Sequence, residues 1–173
     1  DGAQTEGVDF SLEDKNKIAN VLSEIGIDYI EGGWPGANPI DTKFFSKPPK
    51  IKKSIFTAFG MTKKSGRSAD NDPGLASLIN AETSAVCVVG KTWDFHVKVA
   101  LGIKNEENLE NIRETTKHFV NHKKEFLFDA EHFFDGYKAN SNYALDCLRH
   151  AYDAGARWVV LCDTNGGTLP NEV

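Results

Sequence analysis

Short apolar runs that end abruptly in acidic, hydroxyl, amide or glycine residues recur along this chain, and they constrain its fold more than any other feature. The clearest is WVVLCDTNGG at 158–167. IDYIEGG at 27–33 and FLFDAEH at 126–132 repeat the pattern. Apolar runs of this length indicate buried strands. The polar residues at their ends indicate that these strands lead into a functional site.

The spacing of these junctions predicts six strand–helix units. A polar residue or glycine marks each strand end, at Asp1, Glu31, 59–60, Gly90, Glu131 and Asp163. The intervals of roughly 30 to 40 residues match the size of one βα unit. Asp1 would be the tip of the first strand. The other strands are expected near 27–31, 54–59, 85–89, 126–131 and 157–163.

Helical patterns fill the intervals between the strands. Ser11 and Asp14 have the spacing of a capping box, and Gly26 stops the apolar face that follows them. Two short helices are expected to begin at 38–39 and 72–73, each with proline in its first turn. Two longer apolar faces complete the set: Leu109, Ile112, Thr116, Phe119 and Val120, and Tyr143, Ala144, Cys147, Leu148 and Ala151.

Strands that alternate with helices and are continuously apolar predict a parallel sheet covered by helices. A doubly wound sheet would collect its ligand-binding residues at one switch point, whereas here polar residues end almost every strand, as around the mouth of a (β/α)8 barrel. We therefore expect an α/β fold of the (β/α)8 TIM-barrel type. Such a barrel needs about 250 residues. Residues 1–173 would be a partial catalytic domain, from the tip of strand 1 through strand 6, without strands 7 and 8.

Charge and cysteine content exclude several classes of partner. The 20 Lys and Arg residues against 25 Asp and Glu residues give a net charge of −5, which argues against nucleic acid or an anionic membrane as a partner. No apolar stretch is long enough to span a bilayer, so a cytoplasmic location is the default expectation. Cys87, Cys147 and Cys162 each sit in an apolar run and are expected to be buried thiols in a reducing compartment.

Several motifs, in order along the whole chain, resemble the superfamily of 2-isopropylmalate synthase, citramalate synthase and HMG-CoA lyase. DGAQ at 1–4 is similar to the end of its Arg-Asp-Gly-x-Gln motif, and YIEGGWPG at 29–36 is similar to its Ile-Glu-x-Gly-x-Pro motif. GKTWDFH at 90–96, DAEHFFDGY at 129–137 and CDTNGGTLP at 162–170 most closely resemble the citramalate synthase branch. The motif's arginine and the family's His-x-His metal pair on strand 7 have no counterpart in the chain.

The resemblance implies a metal-assisted condensation of acetyl-CoA, as co-substrate, with a 2-oxo acid. Pyruvate, giving citramalate, is favoured over a branched oxo acid giving 2-isopropylmalate. Both reactions belong to branched-chain amino-acid biosynthesis, toward isoleucine and leucine. A divalent cation (Mg²⁺, Mn²⁺ or Zn²⁺) would stabilise the negative charge that develops on oxygen. We further expect a homodimer for the full-length protein, and a C-terminal regulatory domain outside this chain.

The resemblance also implies roles for individual residues. Asp1 would bind the metal ion, and Glu31 would brace Asp1 and the missing arginine. Glu131 would orient bound water or substrate, which makes Glu31 and Glu131 the candidate catalytic residues. Thr164 would offer a hydroxyl and a backbone N–H to the substrate carboxylate. The complete set of candidate substrate contacts is Gln4, His96, Asp163 and Thr164.

These residues also have plainer interpretations. On spacing alone, Glu31 and Asp163 are as well explained as helix caps, and Thr164 as a turn residue. Glu131 has the stronger case. Asp129 and Glu131 are two apart on a strand and would point to the same side, where one acid usually suffices for solvation.

Two other functions remain open at this point. The same barrel and metal could run the reverse cleavage, as an HMG-CoA lyase does, and a cysteine-bearing loop near strand 8 would identify that enzyme. Alternatively, the chain could be a non-catalytic partial barrel that binds a partner.

We expect the isolated 173-residue chain to be inactive and to bind divalent cations weakly. Without the arginine and the His pair, a cation held by one or two protein oxygens keeps most of its water. Calorimetric titration with Mg²⁺ or Mn²⁺ and an assay for released CoA test this. Micromolar metal affinity, or measurable turnover by the isolated chain, would contradict the expectation.

Overall fold

Residues 5–173 contain a sheet of five parallel strands in chain order. The computed structural model describes these residues, so the roles of Asp1 and Gln4 fall outside the described part and stay predictions. The strands are β1 Tyr29–Glu31, β2 Ile55–Met61, β3 Ala85–Lys91, β4 Glu125–Glu131 and β5 Trp158–Leu161. Each pairs in parallel with the next. The α/β fold predicted from the spacing of the junctions is confirmed.

Helices connect consecutive strands. Their bounds are α1 Leu12–Glu24, α2 Pro39–Ser46, α3 Pro73–Asn80, α4 Asp94–His96, α5 Asn105–Asn121, α6 Phe133–Ala139 and α7 Ser141–Asp153. A 3-10 turn, Ala69–Asn71, precedes α3, and a π-helical turn, Val97–Leu101, extends α4. Every connection contains a helix, as parallel neighbouring strands require. Within the described range, no helix has both the length and the hydrophobicity needed to cross a membrane.

Three of the helices predicted from the sequence begin at the expected caps, Ser11, Asn38 and Asp72. Ser11 Oγ accepts a hydrogen bond from Asp14 N–H (3.1 Å), and the Asp14 carboxylate accepts one from Ser11 N–H (3.0 Å), which completes the capping box. At the start of α3, Asp72 Oδ1 accepts from the N–H groups of Gly74 and Leu75 (2.8 and 3.1 Å). These side chains satisfy N–H groups that the first helical turn leaves without partners.

The sequence analysis did not predict α4 or α6. Both helices are too short to show an apolar period. In addition, α6 begins directly after His132, whose positive φ of 54° is unusual for a residue with a side chain. The chain therefore turns sharply from β4 into α6 without the usual sequence signal for a helix start.

Side chains alternate between the two faces of the sheet, and both faces are apolar. In β1 to β4, even-numbered residues such as Val88 and Phe128 pack in the main core together with residues of the helices, and in β5 the odd-numbered Val159 does so. The odd-numbered residues of β1 to β4 form a smaller cluster on the other face, centred on Ala85, Cys87 and Leu127. This pattern explains why the strands are continuously apolar in sequence.

The sheet curls so that the face with the smaller cluster becomes concave. Trp158 Nε1 on β5 donates a hydrogen bond to the Tyr29 hydroxyl on β1 (3.0 Å), and this hydroxyl donates to the Glu125 carboxylate on β4. In a flat sheet, β1 and β5 would lie roughly 19 Å apart, which is four spacings of about 4.8 Å. A direct bond between their side chains requires strong curvature, as in part of a closed barrel.

Gly136 of α6 packs against the backbone that follows β3, and a Cβ atom there would lie 2.5 Å from the Thr92 carbonyl oxygen. Replacing glycine by alanine inside a helix ordinarily stabilises it by up to about 1 kcal/mol. Here we expect Gly136→Ala to lower the free energy of unfolding by about 1–3 kcal/mol instead, because α6 must move away from β3. Urea denaturation of the full-length protein measures the change.

Gly167→Ala is the matched control, because a Cβ atom at Gly167 would meet nothing within 4 Å. Its stability should change by less than about 0.5 kcal/mol. A Gly136→Ala variant as stable as the unsubstituted protein would contradict the close approach of α6 to β3.

Candidate active site

Three polar side chains from β1, β3 and β4 meet on the concave face. Glu31 ends β1, Cys87 lies within β3 and Asp129 lies near the end of β4. All three are odd-numbered and point to the same face, and the curvature of the sheet brings β1 toward β4. Their carboxylate oxygens and thiol sulfur lie within 4.8 Å of one another. We call these three residues the acidic cluster.

The two carboxylates of the acidic cluster share a partly desolvated environment. Burial raises the pKa of Glu31 and the charge of Asp129 raises it further, while a hydrogen bond with Cys87 opposes both effects. Burial also raises the pKa of Asp129. Cys87 is 1% exposed, and burial raises the pKa of its thiol so far that it stays protonated. Among the described residues, no basic side chain forms an ion pair with Glu31 or Asp129.

The acidic cluster has a donor set that fits a divalent cation. Carboxylate oxygens are the protein ligands that Mg²⁺ and Mn²⁺ prefer, and they also bind Zn²⁺. Two carboxylates that repel each other in a desolvated place also gain from a cation between them, since its charge favours the ionised form of both. The cluster is therefore a candidate metal centre.

A further acidic residue of β4 forms an ion pair at the edge of the concave face. Glu131 and Lys91 are register partners at the ends of β4 and β3, and the Lys91 ammonium bonds to the Glu131 carboxylate. Their side chains are 24% and 18% exposed. Glu131 lies two residues beyond Asp129 on the same strand, so both point to the same face. The ion pair thus lies closer to the carboxyl ends of the strands than the acidic cluster does.

Two histidine rings pack together near the Lys91–Glu131 pair. His96 ends α4, and its ring meets the His132 ring edge to face, with centroids 4.4 Å apart. The Trp93 ring lies 4.8 Å from the His96 ring. Burial lowers the pKa of His96, and the positive charges of His132 and Lys91 lower it further. His96 is therefore mainly neutral at pH 7 and can accept a hydrogen bond.

The loop after β5 reaches the same region. Thr164 Oγ1 accepts a hydrogen bond from His132 N–H (2.9 Å) and can still donate its own proton. Asp163 accepts hydrogen bonds from Thr168 N–H (2.9 Å), Thr168 Oγ1 (3.0 Å) and Gly167 N–H (3.3 Å), and these bonds lower the pKa of its carboxyl. Asp163 thus holds the loop that carries Thr164. Its predicted contact with substrate stays a prediction.

The structure brings five of the predicted site residues to the carboxyl-end side of the sheet: Glu31, His96, Glu131, Asp163 and Thr164. Their roles in binding and catalysis stay predictions. Three residues of the site were not assigned roles from the sequence: Cys87 was interpreted only as a buried thiol, Asp129 served only as support for Glu131, and Lys91 was not considered. For Cys87 and Lys91 one signal was available, because both are odd-numbered residues of the strand that ends at the GKTWDFH motif.

Comparison with solved structures identifies the fold as part of a (β/α)8 barrel. The HMG-CoA lyase of Bacillus subtilis matches with a TM-score of 0.77 at 19% identity, over 99% of this chain and 58% of that chain. An HMG-CoA lyase of Acinetobacter baumannii, solved in complex with coenzyme A and 3-methylmalate, matches with a TM-score of 0.74 at 19% identity, over 99% and 56%. At such identities the likeness establishes the fold alone, and it confirms the predicted barrel.

The chain belongs to the HMGL-like family, whose profile matches residues 1–173. It is 55% identical to the (R)-citramalate synthase of Aquifex aeolicus and 51% identical to that of Geobacter sulfurreducens, in both cases over 100% of this chain and 33% of the relative. It is 31% identical to 2-isopropylmalate synthase 1 of Caldanaerobacter subterraneus, over 99% of this chain and 42% of that protein. The chain therefore spans about a third of the length of the citramalate synthases it matches. The predicted family is confirmed. The family is metal-dependent, which agrees with the donor set of the acidic cluster.

The raised pKa values in the acidic cluster predict a fall in stability as pH rises in the absence of metal. The folded protein holds these protons more tightly than the unfolded chain. Stability therefore falls as pH rises from the ordinary carboxyl pKa values of 3.8 and 4.5 to the raised pKa values of the folded protein. Asp129→Asn removes one of the two charges. With a chelator at neutral pH, we expect this substitution to stabilise the full-length protein by on the order of 1 kcal/mol and to flatten the pH dependence.

With Mn²⁺ added, the wild type should become more stable than Asp129→Asn, because the wild type gains stability by binding the cation and the variant gains less. Urea denaturation at several pH values measures these changes. Asp9→Asn, at an exposed position outside the helices and strands, is the control and should behave as the wild type. A destabilised Asp129→Asn protein in chelator would show that the Asp129 charge has a favourable partner.

Proposed function

We propose that this chain is the part of an acyltransferase that condenses acetyl-CoA with a 2-oxo acid, with pyruvate as the preferred acceptor and citramalate as the product. The observation that carries the proposal is the assembly of Glu31, Asp129 and Glu131 on one concave face, at the carboxyl ends of strands in a barrel of this family. The names of the relatives that are 43–55% identical support the substrate assignment.

The reaction requires control of negative charge. The methyl group of acetyl-CoA must lose a proton and attack the ketone carbon of the oxo acid, so negative charge develops first on the thioester oxygen and then on the former ketone oxygen. Hydrolysis of the thioester consumes one water, releases CoA and makes the sequence irreversible. A site for this chemistry needs a positive group at the oxo acid, a proton acceptor at the methyl group and donors for the substrate carboxylate.

The acidic cluster would hold a divalent cation (Mg²⁺, Mn²⁺ or Zn²⁺) through Glu31 and Asp129, together with Asp1 as the resemblance implies. When bound, the cation would supply the Lewis acidity that stabilises negative charge on the oxo acid. Glu31 and Asp129 are suited to this role because they lie close together, are partly desolvated and form no ion pair with other described residues. Cys87, protonated and buried, would donate a hydrogen bond to the carboxylates.

The residues nearer to solvent would orient the substrates. Thr164 has a hydroxyl proton available for the substrate carboxylate while its oxygen is held by His132 N–H. Glu131, fixed by Lys91, presents a carboxylate that can orient substrate or bound water. His96 is mainly neutral at pH 7 and is a candidate acceptor for a substrate proton. Gln4 and Asp163 stay predicted substrate contacts.

The two alternatives from the sequence are less well supported. Cleavage by an HMG-CoA lyase would agree with the fold neighbours, but their identities of 16–19% carry no argument about the reaction. The relatives that share far more of the sequence are named as synthases, and this also argues against a non-catalytic partial barrel. A cytoplasmic location, a homodimer and a role in isoleucine or leucine biosynthesis are part of the proposal.

We expect the full-length protein to release CoA from acetyl-CoA only when a 2-oxo acid and a divalent cation are both present, with pyruvate preferred. Glu131→Ala and Thr164→Ala should each lower kcat by about a hundredfold or more, the usual scale for the loss of a positioned polar group. A thiol-reactive assay for CoA measures this, and mass spectrometry identifies the product.

Glu107→Ala, at an exposed position on α5, is the control and should retain wild-type activity. Wild-type turnover by Glu131→Ala or by Thr164→Ala, or turnover that a chelator does not abolish, would contradict the assigned roles.

A further inference from the structure

A buried polar network binds the main chain of Lys91, one member of the Lys91–Glu131 ion pair. Asn108 of α5 is fully buried, and its Nδ2 donates hydrogen bonds to the Lys91 carbonyl oxygen (2.8 Å) and to the Tyr143 hydroxyl of α7 (2.8 Å). Its Oδ1 has no hydrogen-bond partner among the described residues. The two bonds that the Asn108 amide donates hold the end of β3 against α5 and α7, although leaving its buried oxygen unpaired is costly.

The end of β4 is held in a similar way. Thr92 is fully buried, and both its hydroxyl (2.7 Å) and its N–H (3.3 Å) donate to the Glu131 carbonyl oxygen. Gly136 of α6 packs directly against the Thr92 carbonyl. Side chains and backbone from three helices and one loop thus fix the main chain of Lys91 and of Glu131. The points from which both side chains extend are therefore fixed as well.

The ion pair itself is a poor source of stability. Both side chains are partly exposed, and such pairs contribute little because desolvation and lost side-chain entropy offset the attraction. The ion pair does restrict the position of the Glu131 carboxylate at the ends of β3 and β4.

We propose that Lys91 is a positioning residue for the condensation: it holds the Glu131 carboxylate in the orientation that the reaction uses. This inference rests on the proposed function and adds to it a residue that the family motifs did not assign. Lys91 acts through Glu131 and makes no contact of its own with the reacting atoms. Its removal therefore lowers kcat and leaves the KM for the oxo acid nearly unchanged.

The test is a double-mutant cycle in the full-length protein with Mn²⁺ and saturating acetyl-CoA. Lys91→Met should lower kcat by about 10- to 100-fold, with a change of less than about threefold in the KM for pyruvate. In a Glu131→Gln background, Lys91→Met should lower kcat by no more than about threefold further, because the carboxylate it positions is gone. Lys91→Arg, which keeps the cation, should recover most of the activity.

Lys138→Met is the matched control, since Lys138, which lies on α6, forms a more exposed ion pair with Glu172 (3.5 Å). It should leave kcat unchanged. Circular dichroism and urea denaturation check that each variant is folded, and Lys91→Gln replaces Lys91→Met in the cycle if the latter is not.

If the wild type condenses acetyl-CoA with an oxo acid, the proposed function stands, and two results would then overturn the inference about Lys91. One is wild-type kcat in Lys91→Met. The other is a double variant whose loss equals the product of the two single losses, since Lys91 would then act independently of Glu131. A wild type that releases no CoA with any 2-oxo acid would overturn the proposed function, and the inference with it.

Discussion

The curvature of the parallel sheet is the constraint on which the candidate site depends. Glu31 and Asp129 lie on strands separated by two others, and they would be far apart in a flat sheet. The hydrogen bond from Trp158 to Tyr29 joins the first and last strands and shows how strongly the sheet curls. Parallel register then points the odd-numbered residues of β1 to β4, and the even-numbered residues of β5, to one concave face. Two carboxylates and a thiol meet there because of the geometry of the whole sheet, without any local motif that joins them.

The acidic residues on this face lie in two different electrostatic environments. Glu31 and Asp129 are partly desolvated and repel each other, which raises the pKa of Glu31 beyond the effect of burial. Glu131 is paired with Lys91 nearer to solvent. The first environment suits a cation, and the second suits a carboxylate that must be fixed in orientation. One strand, β4, supplies an acid to each, two residues apart.

Much of this could be predicted from the sequence, since local signals carry it. Apolar runs with polar ends marked all five strands, and the Ser11, Asn38 and Asp72 caps marked three helix starts. Short helices without an apolar period, such as α6, gave no such signal. The pairing of Lys91 with Glu131 joins residues 40 positions apart and depends on strand register, which a single sequence does not determine. Cys87 could be recognised as buried, but its position beside two acids depends on curvature.

The most direct test of this account is a double-mutant cycle of stability between Glu31 and Asp129, measured by urea denaturation of the full-length protein in chelator at about pH 8. If the two carboxylates repel each other on the concave face, Glu31→Gln and Asp129→Asn each relieve the same repulsion. The double variant should then gain less stability than the sum of the two single variants, by roughly 1 kcal/mol. Strictly additive gains would show that the two side chains do not meet and would contradict the curved arrangement described here.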